Sequence, residues 1–382
     1  MSSPFEYITS GESHGPGLTA VIKNIPAGFK ISSELINYDL ERRQKGYGRG
    51  GRMKIEKDQV QILGGIRNNE TTGTPLSLFI PNHDYKNWEG KKTEPITRPR
   101  PGHADLVGGI KYQREDLRDI LERSSARETA VRTAVGSVAK QLLSPFQIQT
   151  ASFVETLGGI EALKDSSVFS ILEIQKITEN SELRLLNPDF ESKIKSFIDT
   201  VKENGDTLGG TIVVLADGIP PALGSFAMPE TKLDSRIAAA FLSLQAIKGI
   251  EFGIGRQYAY LKGSEVHDEI FYNEKGFYRK TNRAGGIEGG MSNGERIFLK
   301  AFMKPIPTLM KPLLSVDIHT KKAFEAVKER SDVTAVPAAA VVGEALLAIE
   351  IAKAFFERFG MDNQNTIMKN FIEDQRKFEW LE

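Results

Sequence analysis

Apolar residues recur along the chain with spacings that predict four helices and four strands. The predicted helices are 32–45, 114–143, 234–248 and 337–359, and the predicted strands are 59–63, 76–81, 211–216 and 296–302. The first helix is preceded by serines that can cap it, and the last opens with proline and closes at glycine. Because helices and strands alternate along the chain, the pattern predicts a mixed α/β or α+β core.

A weak internal repeat accompanies this pattern. Isoleucine–proline pairs lead into the predicted helices 32–45 and 234–248. Gly64-Gly65-Ile66 and Gly285-Gly286-Ile287 are each followed by a glycine eight positions after the second glycine, and then by a strand. The repeat indicates two related halves, roughly 1–140 and 210–360, within one domain spanning 1–382. Chance similarity is the alternative in a chain that has 35 glycines.

Composition narrows the class of protein. Lysine plus arginine and aspartate plus glutamate are 50 each, so the net charge is zero, which argues against a general nucleic-acid or membrane-surface binder. The absence of cysteine excludes disulfides, thiolate catalysis and iron–sulfur clusters. No apolar stretch approaches 18 residues and no signal peptide is recognised, so we expect a soluble, cytoplasmic protein.

Two of the five histidines lie in loops that suit chemistry. His14 lies in the glycine-rich stretch 11–17, and His103 lies in RPRPGHAD at 98–105. Histidine is the usual proton carrier near neutral pH, and flanking glycines leave room for a ligand. A solvent-exposed loop histidine is the alternative for each. No His-x-x-x-His spacing is present, so no histidine-rich metal site is predicted.

A basic loop, RRQKGYGRGGR at 42–52, carries five arginines and lysines among glycines. Arginines and glycine amides together bind phosphate or carboxylate groups. The loop formally matches G-x-G-x-x-G, but it follows a helix, so a dinucleotide-binding fold is rejected. A small polyanionic ligand is the favoured partner, with a solvated turn or an anionic polymer as alternatives.

Three further segments carry candidate residues. Arg123 and Arg127 lie one turn apart in the predicted helix 114–143, with small residues between them. Lys304 and Thr308 flank a stretch stiffened by two prolines. Arg330 and Asp332 lie in ERSD just before the last helix. Surface ion pairing, a rigid connector and a helix-entry charge cluster are the respective structural alternatives.

Taken together, these segments resemble the chorismate synthase family. The matching stretches are 11–20, 25–28, 42–56, 98–112, 122–136, 285–294, 304–313 and 329–332. They occur in the family's order over nearly the whole chain, although Val333 replaces a proline that is frequent in the family. The resemblance implies an α+β fold, a β-α-β sandwich with helices between antiparallel sheets and an internal pseudo-two-fold, assembled as a homotetramer.

The resemblance also implies a reaction, the 1,4-elimination of phosphate from 5-enolpyruvylshikimate 3-phosphate to give chorismate with reduced FMN. His14 would protonate the departing phosphate, and His103 would hold or protonate the reduced flavin. Asp332 would work with flavin N5 to remove the C6 proton. The substrate carries a phosphate and two carboxylates, for which Ser13, Arg49, Arg52 and Arg127 are the expected ligands.

The expected FMN contacts are Arg123, Ser124, Ser125, Gln245, Ala246, Gly289, Lys304, Pro305, Ile306, Pro307, Thr308 and Arg330. Arg43 and Arg49 match positions that hold NADPH in the family, although the same arginines suit substrate phosphate. A separate flavin reductase is the alternative source of reduced FMN. Two other functions remain alternatives, a flavin reductase or other FMN oxidoreductase, and an RNA- or polyanion-binding protein that uses the loop 42–52.

Overall fold

A computed structural model describes residues 4–50, 57–91, 93–274, 276–326 and 332–376. Its strands are β1 (Glu6–Ser10), β2 (Gly17–Lys23), β3 (Gln61–Gly64), β4 (Ile66–Arg67), β5 (Glu70–Thr71), β6 (Leu76–Pro81), β7 (Gln149–Leu157), β8 (Ile160–Glu161), β9 (Gly210–Asp217), β10 (Ile247–Phe252), β11 (Ile270–Asn273), β12 (Gly276–Arg279), β13 (Ile287–Glu288), β14 (Met291–Ser292), β15 (Ile297–Met303), β16 (Leu314–Val316) and β17 (Ala323–Glu325). Its helices are α1 (Ser33–Gln44), α2 (Asp105–Tyr112), α3 (Arg118–Ser124), α4 (Thr129–Leu143), α5 (Ile171–Glu179), α6 (Glu191–Glu203), α7 (Leu233–Leu242), α8 (Gly263–Val266), α9 (Val336–Phe359) and α10 (Gln364–Arg376).

Two antiparallel sheets enclose a layer of helices. One sheet has the strand order β1-β2-β6-β3, and the other has the order β10-β15-β9-β7-β8. Alternate residues of β2 and β6, such as Leu18 and Leu78, are buried on the helix side of the first sheet. Helix α4 packs against β2 and β6, while α9 packs against β7 and β9. The fold is therefore α+β with helices between antiparallel sheets, as the resemblance implied.

The two central helices approach each other closely. Gly136 on α4 faces Ala345 on α9, and a Cβ at Gly136 would lie 2.2 Å from the Ala345 Cβ. Both helices are rich in alanine and valine, and most of their residues are buried. Small side chains at the contact let the two helices pack into one core that also contains residues of both sheets.

The two sheets share one topology. In the first sheet, β3, β6, β2 and β1 lie side by side, and in the second β10, β15, β9 and β7 follow the same order. Helix α1 follows β2 as α7 follows β9, and the hairpin β4–β5 precedes β6 as β13–β14 precedes β15. The two related halves stay a prediction, and in this correspondence β7 precedes the 210–360 segment.

Two predicted helices differ from those observed. The segment 114–143 is not one helix, because Ser125 adopts extended backbone dihedrals between α3 and a 3₁₀ turn at Ala126–Glu128. The Ser125 hydroxyl accepts a hydrogen bond from the Arg127 amide, a local bond that competes with helical pairing. The predicted helix 234–248 is also wrong at its C-terminal end, since α7 stops at Leu242 and Ile247 begins β10.

The other predicted elements are confirmed to within two residues. Ser32 caps α1 by accepting from the Leu35 amide, and Gly360 ends α9 with a positive φ of 111°. Strand β6 has the predicted bounds. Among the described residues, no helix is long and apolar enough to cross a membrane.

Candidate active site

His14 is held by a carboxylate from a distant part of the chain. The Glu122 Oε1 lies 2.7 Å from His14 Nδ1, and Glu122 Oε2 accepts a hydrogen bond from the His14 amide at 2.7 Å. The Trp88 ring packs against the imidazole with a centroid separation of 4.2 Å. Asn82 fixes the flanking loop by donating to the carbonyls of Ser13 and Gly15.

The Glu122 carboxylate is ionised in this setting. Burial alone would raise the pKa of Glu122, but the hydrogen bonds and charge of His14 outweigh burial. Arg118, four residues earlier on α3, adds to that effect, and the pKa of Glu122 lies below its usual value. The imidazole therefore faces a full negative charge.

His103 has its own carboxylate two residues along the chain. Asp105 Oδ1 lies 2.5 Å from His103 Nδ1, and Asp105 is fully buried. Arg100 pairs with Asp105 at 2.9 Å and donates to the Thr308 hydroxyl at 3.0 Å. Burial opposes ionisation of Asp105, but the hydrogen bonds from His103 and Arg100 hold its pKa well below the usual range.

Lys304 lies beside this histidine. Its ammonium donates to the Gly102 carbonyl, and its pKa is lowered first by burial and then by the charge of Lys248. Gly102 has a φ of +77°, and a Cβ there would approach the ammonium to 3.3 Å. Glycine at this position therefore allows the 98–105 loop to meet the 304–308 segment closely.

Buried arginines form a third cluster. Arg127 donates to Asp58 Oδ2 at 2.8 Å, and Arg43 lies 3.5 Å from the same oxygen. Arg43 also donates to the Thr129 hydroxyl and the Ala126 carbonyl. Burial lowers the pKa of Arg43 to about 10, with Arg127 and Arg49 adding to the lowering and Asp58 opposing it.

Asp332 and Arg49 adjoin these arginines. Arg49 lies 3.2 Å from Asp332 Oδ2, and the Gly50 amide donates to Asp332 Oδ1 at 2.6 Å. Both residues act electrostatically on Arg43, so the two parts of the cluster are neighbours. Three arginines and two aspartates therefore lie together in this part of the described chain.

Serine hydroxyls join the arginine cluster to the His14 loop. The Ser125 hydroxyl lies 3.3 Å from that of Ser13 and accepts from the Arg127 amide. The break between α3 and α4 is what places Ser125 between them. His14, Ser13 and the arginines therefore form one continuous site.

Most of the expected flavin contacts are also contiguous. Arg123 donates to Thr9, and Thr9 and Gln245 both donate to Glu128. The Lys304 amide then donates to the Ala246 carbonyl at 2.9 Å. The segment containing Pro305, Ile306, Pro307 and Thr308 continues from Lys304 to Arg100, and Ser124 follows Arg123 at the end of α3.

Gln245 gives an independent reason to expect a ligand. Its side-chain oxygen is buried and has no hydrogen-bond partner among the residues that the structure describes. A buried amide oxygen without a partner costs free energy, which a donor on a bound molecule removes. A flavin ring carries N–H groups of the required kind, so the residues present fit the expected cofactor.

Gly289 is an expected flavin contact that lies apart from this set. The hairpin carrying Gly289 packs at Leu233, the first residue of α7, whereas Gln245 follows its other end. A helix of ten residues is about 15 Å long, so Gly289 lies away from Gln245 within one chain. Arg52 and Arg330 lie outside the described residues.

Several residues of the site had no assigned role at the sequence level. Asp105 is recognisable in hindsight from its place two residues after His103. Glu122, Trp88 and Asp58 gave no local signal, since each meets its partner only through the fold. Glu122, for example, is 108 positions from His14.

Two histidines held by carboxylates, beside a cluster of buried arginines, are chemically suited to moving protons on an anionic substrate. The family model for chorismate synthase matches residues 5–356. Chorismate synthases of Geotalea uraniireducens (strain Rf4) and Enterococcus faecalis (strain ATCC 700802 / V583) are 55% and 54% identical, over 96% and 94% of this chain and 97% and 95% of theirs. A solved structure described as the crystal structure of chorismate synthase has a TM-score of 0.82 and 42% identity, covering 98% of this chain and 99% of that one.

The chain belongs to the chorismate synthase family. It is a carbon–oxygen lyase acting on phosphates, in aromatic amino-acid biosynthesis. These comparisons confirm the resemblance drawn from the sequence motifs.

Proposed function

We propose that this protein converts 5-enolpyruvylshikimate 3-phosphate to chorismate and phosphate. In this 1,4-elimination the phosphate leaves with the electron pair of its C–O bond, and a proton leaves C6. The electron pair of the C6–H bond becomes part of the new diene, so the substrate undergoes no net redox change. The departing phosphate takes up a proton from the enzyme.

The grouping of buried arginines beside the His14 loop is the observation that carries this proposal. Arg43, Arg49 and Arg127 lie together around the carboxylates of Asp58 and Asp332. Guanidinium groups bind phosphate and carboxylate oxygens through charge-assisted hydrogen bonds. A substrate with one phosphate and two carboxylates offers such oxygens, and Ser13 and Arg52 complete the expected ligands.

Three side chains are assigned to the proton transfers. His14 donates a proton to the departing phosphate, which makes the phosphate a better leaving group. Asp332 takes the C6 proton, and its carboxylate is held in place by Arg49 and the Gly50 amide. His103 holds a proton at the cofactor, in an orientation fixed by Asp105.

The contiguous set from Arg123 through Gln245 to Thr308 supports binding of reduced FMN, together with Gly289 and Arg330. Reduced FMN, when bound, supplies electron density that helps the C–O bond to break. Arg123 and Lys304 provide cations for its phosphate. The buried side-chain oxygen of Gln245 accepts a hydrogen bond from an N–H group of the ring.

Arg43 and Arg49 are candidate ligands of either NADPH or the substrate, and their burial helps to choose between the two. Arg43 is only 4% exposed and its guanidinium already donates to the Thr129 hydroxyl and the Ala126 carbonyl, so we assign it to shaping the substrate site. Arg49 lies beside Asp332 and is assigned to substrate phosphate. NADPH is retained as a reductant of FMN, with a separate flavin reductase as the alternative supplier.

We further propose a homotetramer located in the cytoplasm. The position of Gly289 in one chain supports the assembly, because a neighbouring copy can supply this residue where its own chain does not. No nucleic-acid or membrane partner is included in the proposal.

An anaerobic assay tests the function directly. The purified protein is mixed with 5-enolpyruvylshikimate 3-phosphate and chemically reduced FMN, and chorismate and phosphate are measured together. We expect equal release of both products, dependent on reduced rather than oxidised FMN. Folded, FMN-binding protein that releases no product would contradict the proposal and favour a flavin reductase, which NADPH oxidation would reveal.

A further inference from the structure

Glu122 contacts both the backbone and the imidazole ring of His14, and anchoring the loop would require only the backbone contact. One carboxylate oxygen accepts from the His14 amide, and the other lies 2.7 Å from Nδ1 of the same residue. The Ser13 amide also donates to the Glu122 carbonyl at 3.1 Å. The backbone contacts anchor the loop, so the ring contact is available for a separate task.

The remaining neighbours restrict the imidazole further. Trp88 packs against one face of the ring, and its indole N–H is held by Asp84 at 2.9 Å. Arg118 stands over Trp88 at 5.9 Å from the ring centroid. Within the described ranges, the charged groups near His14 include Glu122 and Arg118 from α3, Asp84 from the 83–87 turn and Glu12 from its own loop. Among them, Glu122 is the group in contact with Nδ1.

An ionised carboxylate at Nδ1 has two chemical consequences. It selects the tautomer with the proton on Nδ1 when the ring is neutral, and it stabilises the doubly protonated ring. With Nδ1 turned to Glu122, a proton passed to another molecule comes from Nε2. The His14 side chain remains 21% exposed, so a ligand can reach the ring.

We propose that Glu122 is a positioning residue that holds His14 with Nδ1 toward its carboxylate and Nε2 toward the departing phosphate. The role in turnover rests on the proposed function. During elimination the His14 Nε2–H bond breaks and a phosphate O–H bond forms, while Glu122 stays ionised. His14 regains its proton from water after phosphate leaves, so the cycle is balanced.

Glu122→Gln tests this role because it keeps the shape of the side chain and removes its charge. We expect kcat for chorismate formation to fall roughly 100-fold with KM changed less than about threefold, since general acid catalysis contributes on this scale. The alkaline limb of the kcat–pH profile should move to lower pH, because loss of the carboxylate destabilises the protonated ring. Glu122→Asp, which restores the charge, should recover part of kcat and move that limb back.

Glu155→Gln is the matched control. Glu155 pairs with Lys300 at 2.8 Å and is 15% exposed, close to the 13% of Glu122, but lies on β7 away from His14. We expect this variant to keep wild-type kcat and pH profile. Circular dichroism and thermal unfolding of all variants check that each is folded.

Nitrogen-15 spectra of histidine-labelled, ligand-free protein give a readout that does not depend on turnover. His14→Asn identifies the His14 signals among the five histidines. At a pH where the ring is neutral, Nδ1 of His14 should appear protonated in the wild type, and Glu122→Gln should lose that uniform state.

Wild-type kcat and pH profile in Glu122→Gln, or a His14 ring protonated at Nε2 in the wild type, would overturn the inference. A kcat loss that Glu122→Asp does not relieve, with no shift of the alkaline limb, would also overturn it by indicating a purely structural role. Absence of chorismate formation by the wild type would defeat the proposed function instead, and the nitrogen-15 spectra would still decide the position of the proton.

Discussion

The two candidate histidines differ in how the chain supplies their carboxylates. Asp105 is close to His103 in sequence and is shared with Arg100, so that pair is part of one stiff loop. Glu122 reaches His14 from α3 and ties two separate segments together. The first arrangement depends mainly on local backbone geometry, whereas the second depends on correct folding of the whole site.

At the residue scale we predict that His14→Ala and His103→Ala each lower turnover about 100-fold or more, because each removes a positioned proton carrier. Both histidines are partly exposed, so the variants should remain folded and bind FMN nearly as well as the wild type. Turnover is measured under anaerobic conditions with reduced FMN, and FMN binding by fluorescence. Wild-type rates in either variant would exclude that residue from proton transfer.

At the scale of elements, the sequence predicts the regular helices and strands, but it does not predict the break between α3 and α4 at Ser125. Helix α9 follows from its alanine-rich sequence between Pro337 and Gly360. The break at Ser125 did not follow, since the apolar spacing of 114–143 is helical on either side of it. The extended Ser125 residue is stabilised by partners that only the folded chain provides, among them Ser13.

The same limit applies to the candidate site. Glycine-rich loops and arginine clusters marked where chemistry could occur, and the structure brings Arg49, Arg127 and Asp332 into one cluster with Arg43. The pairing of Asp58 with two arginines was not predictable, because Asp58 follows the basic loop without any motif. Long-range pairs of this kind depend on sheet and helix packing rather than on local spacing.

The close contact between α4 and α9 leads to a second prediction. Gly136→Ala places a methyl group 2.2 Å from the Ala345 Cβ, so the helices must separate. We expect the free energy of unfolding to fall by about 2 kcal/mol, as overpacking typically costs 1–3 kcal/mol. Chemical denaturation measures the change. Gly64→Ala is the control, since among the described residues no heavy atom beyond the adjoining ones lies within 4 Å of its added methyl group. An equal loss there would contradict the packing argument.

A buried ion network around α9 gives a third prediction. The Glu344 carboxylate is fully buried and contacts Arg42, Lys140 and Arg184. Burial would raise its pKa, but the charges of Arg42 and Lys140 outweigh burial and hold the pKa well below 4.5. The stability from this ionised group is therefore present above pH 4.5 and is lost as the pH falls below that value.

Glu344→Gln should lower the free energy of unfolding at pH 7 by about 3 kcal/mol, because it leaves buried cations undercompensated. The difference from the wild type should shrink as the pH falls from about 5 to about 2. Denaturation curves across this range measure both effects. Glu41→Gln, at a residue that is 63% exposed and pairs with Lys45, should change stability by less than about 1 kcal/mol. If Glu344→Gln lowered the free energy of unfolding by the same amount at every pH, the conclusion that Glu344 is ionised in the folded protein would be wrong.

At the scale of the whole molecule, the two halves differ in how their sheets are covered. The outer face of the five-stranded sheet is covered by α5, with Ile171 and Ile174 packed against Phe153 and Val213. The strand register places Ile8, Val21 and Phe79 on the outer face of the four-stranded sheet. Within the described ranges, no counterpart of α5 packs on that face. We propose that the sheets of the related halves, roughly 1–140 and 210–360 of a single domain, differ because α5, which lies between the halves in the chain, packs on the five-stranded sheet.

An exposed apolar sheet face supports the proposed homotetramer, because a second copy can cover it as α5 covers the other sheet. Ile8 and Leu63 are both 65% exposed at the two edges of this sheet. We predict that the double variant Ile8→Lys, Leu63→Lys has a lower mass in solution than the wild type, which should be four times the 42.3 kDa of one chain.

Multi-angle light scattering measures these masses at matched protein concentrations. Leu172→Lys is the control, since Leu172 is 61% exposed on α5 and lies over the other sheet. This variant should keep the wild-type mass, and both variants should keep the wild-type circular dichroism. The expected dissociation should also weaken FMN binding if a neighbouring copy contributes Gly289. A double variant with the wild-type mass would contradict assembly through the four-stranded sheet.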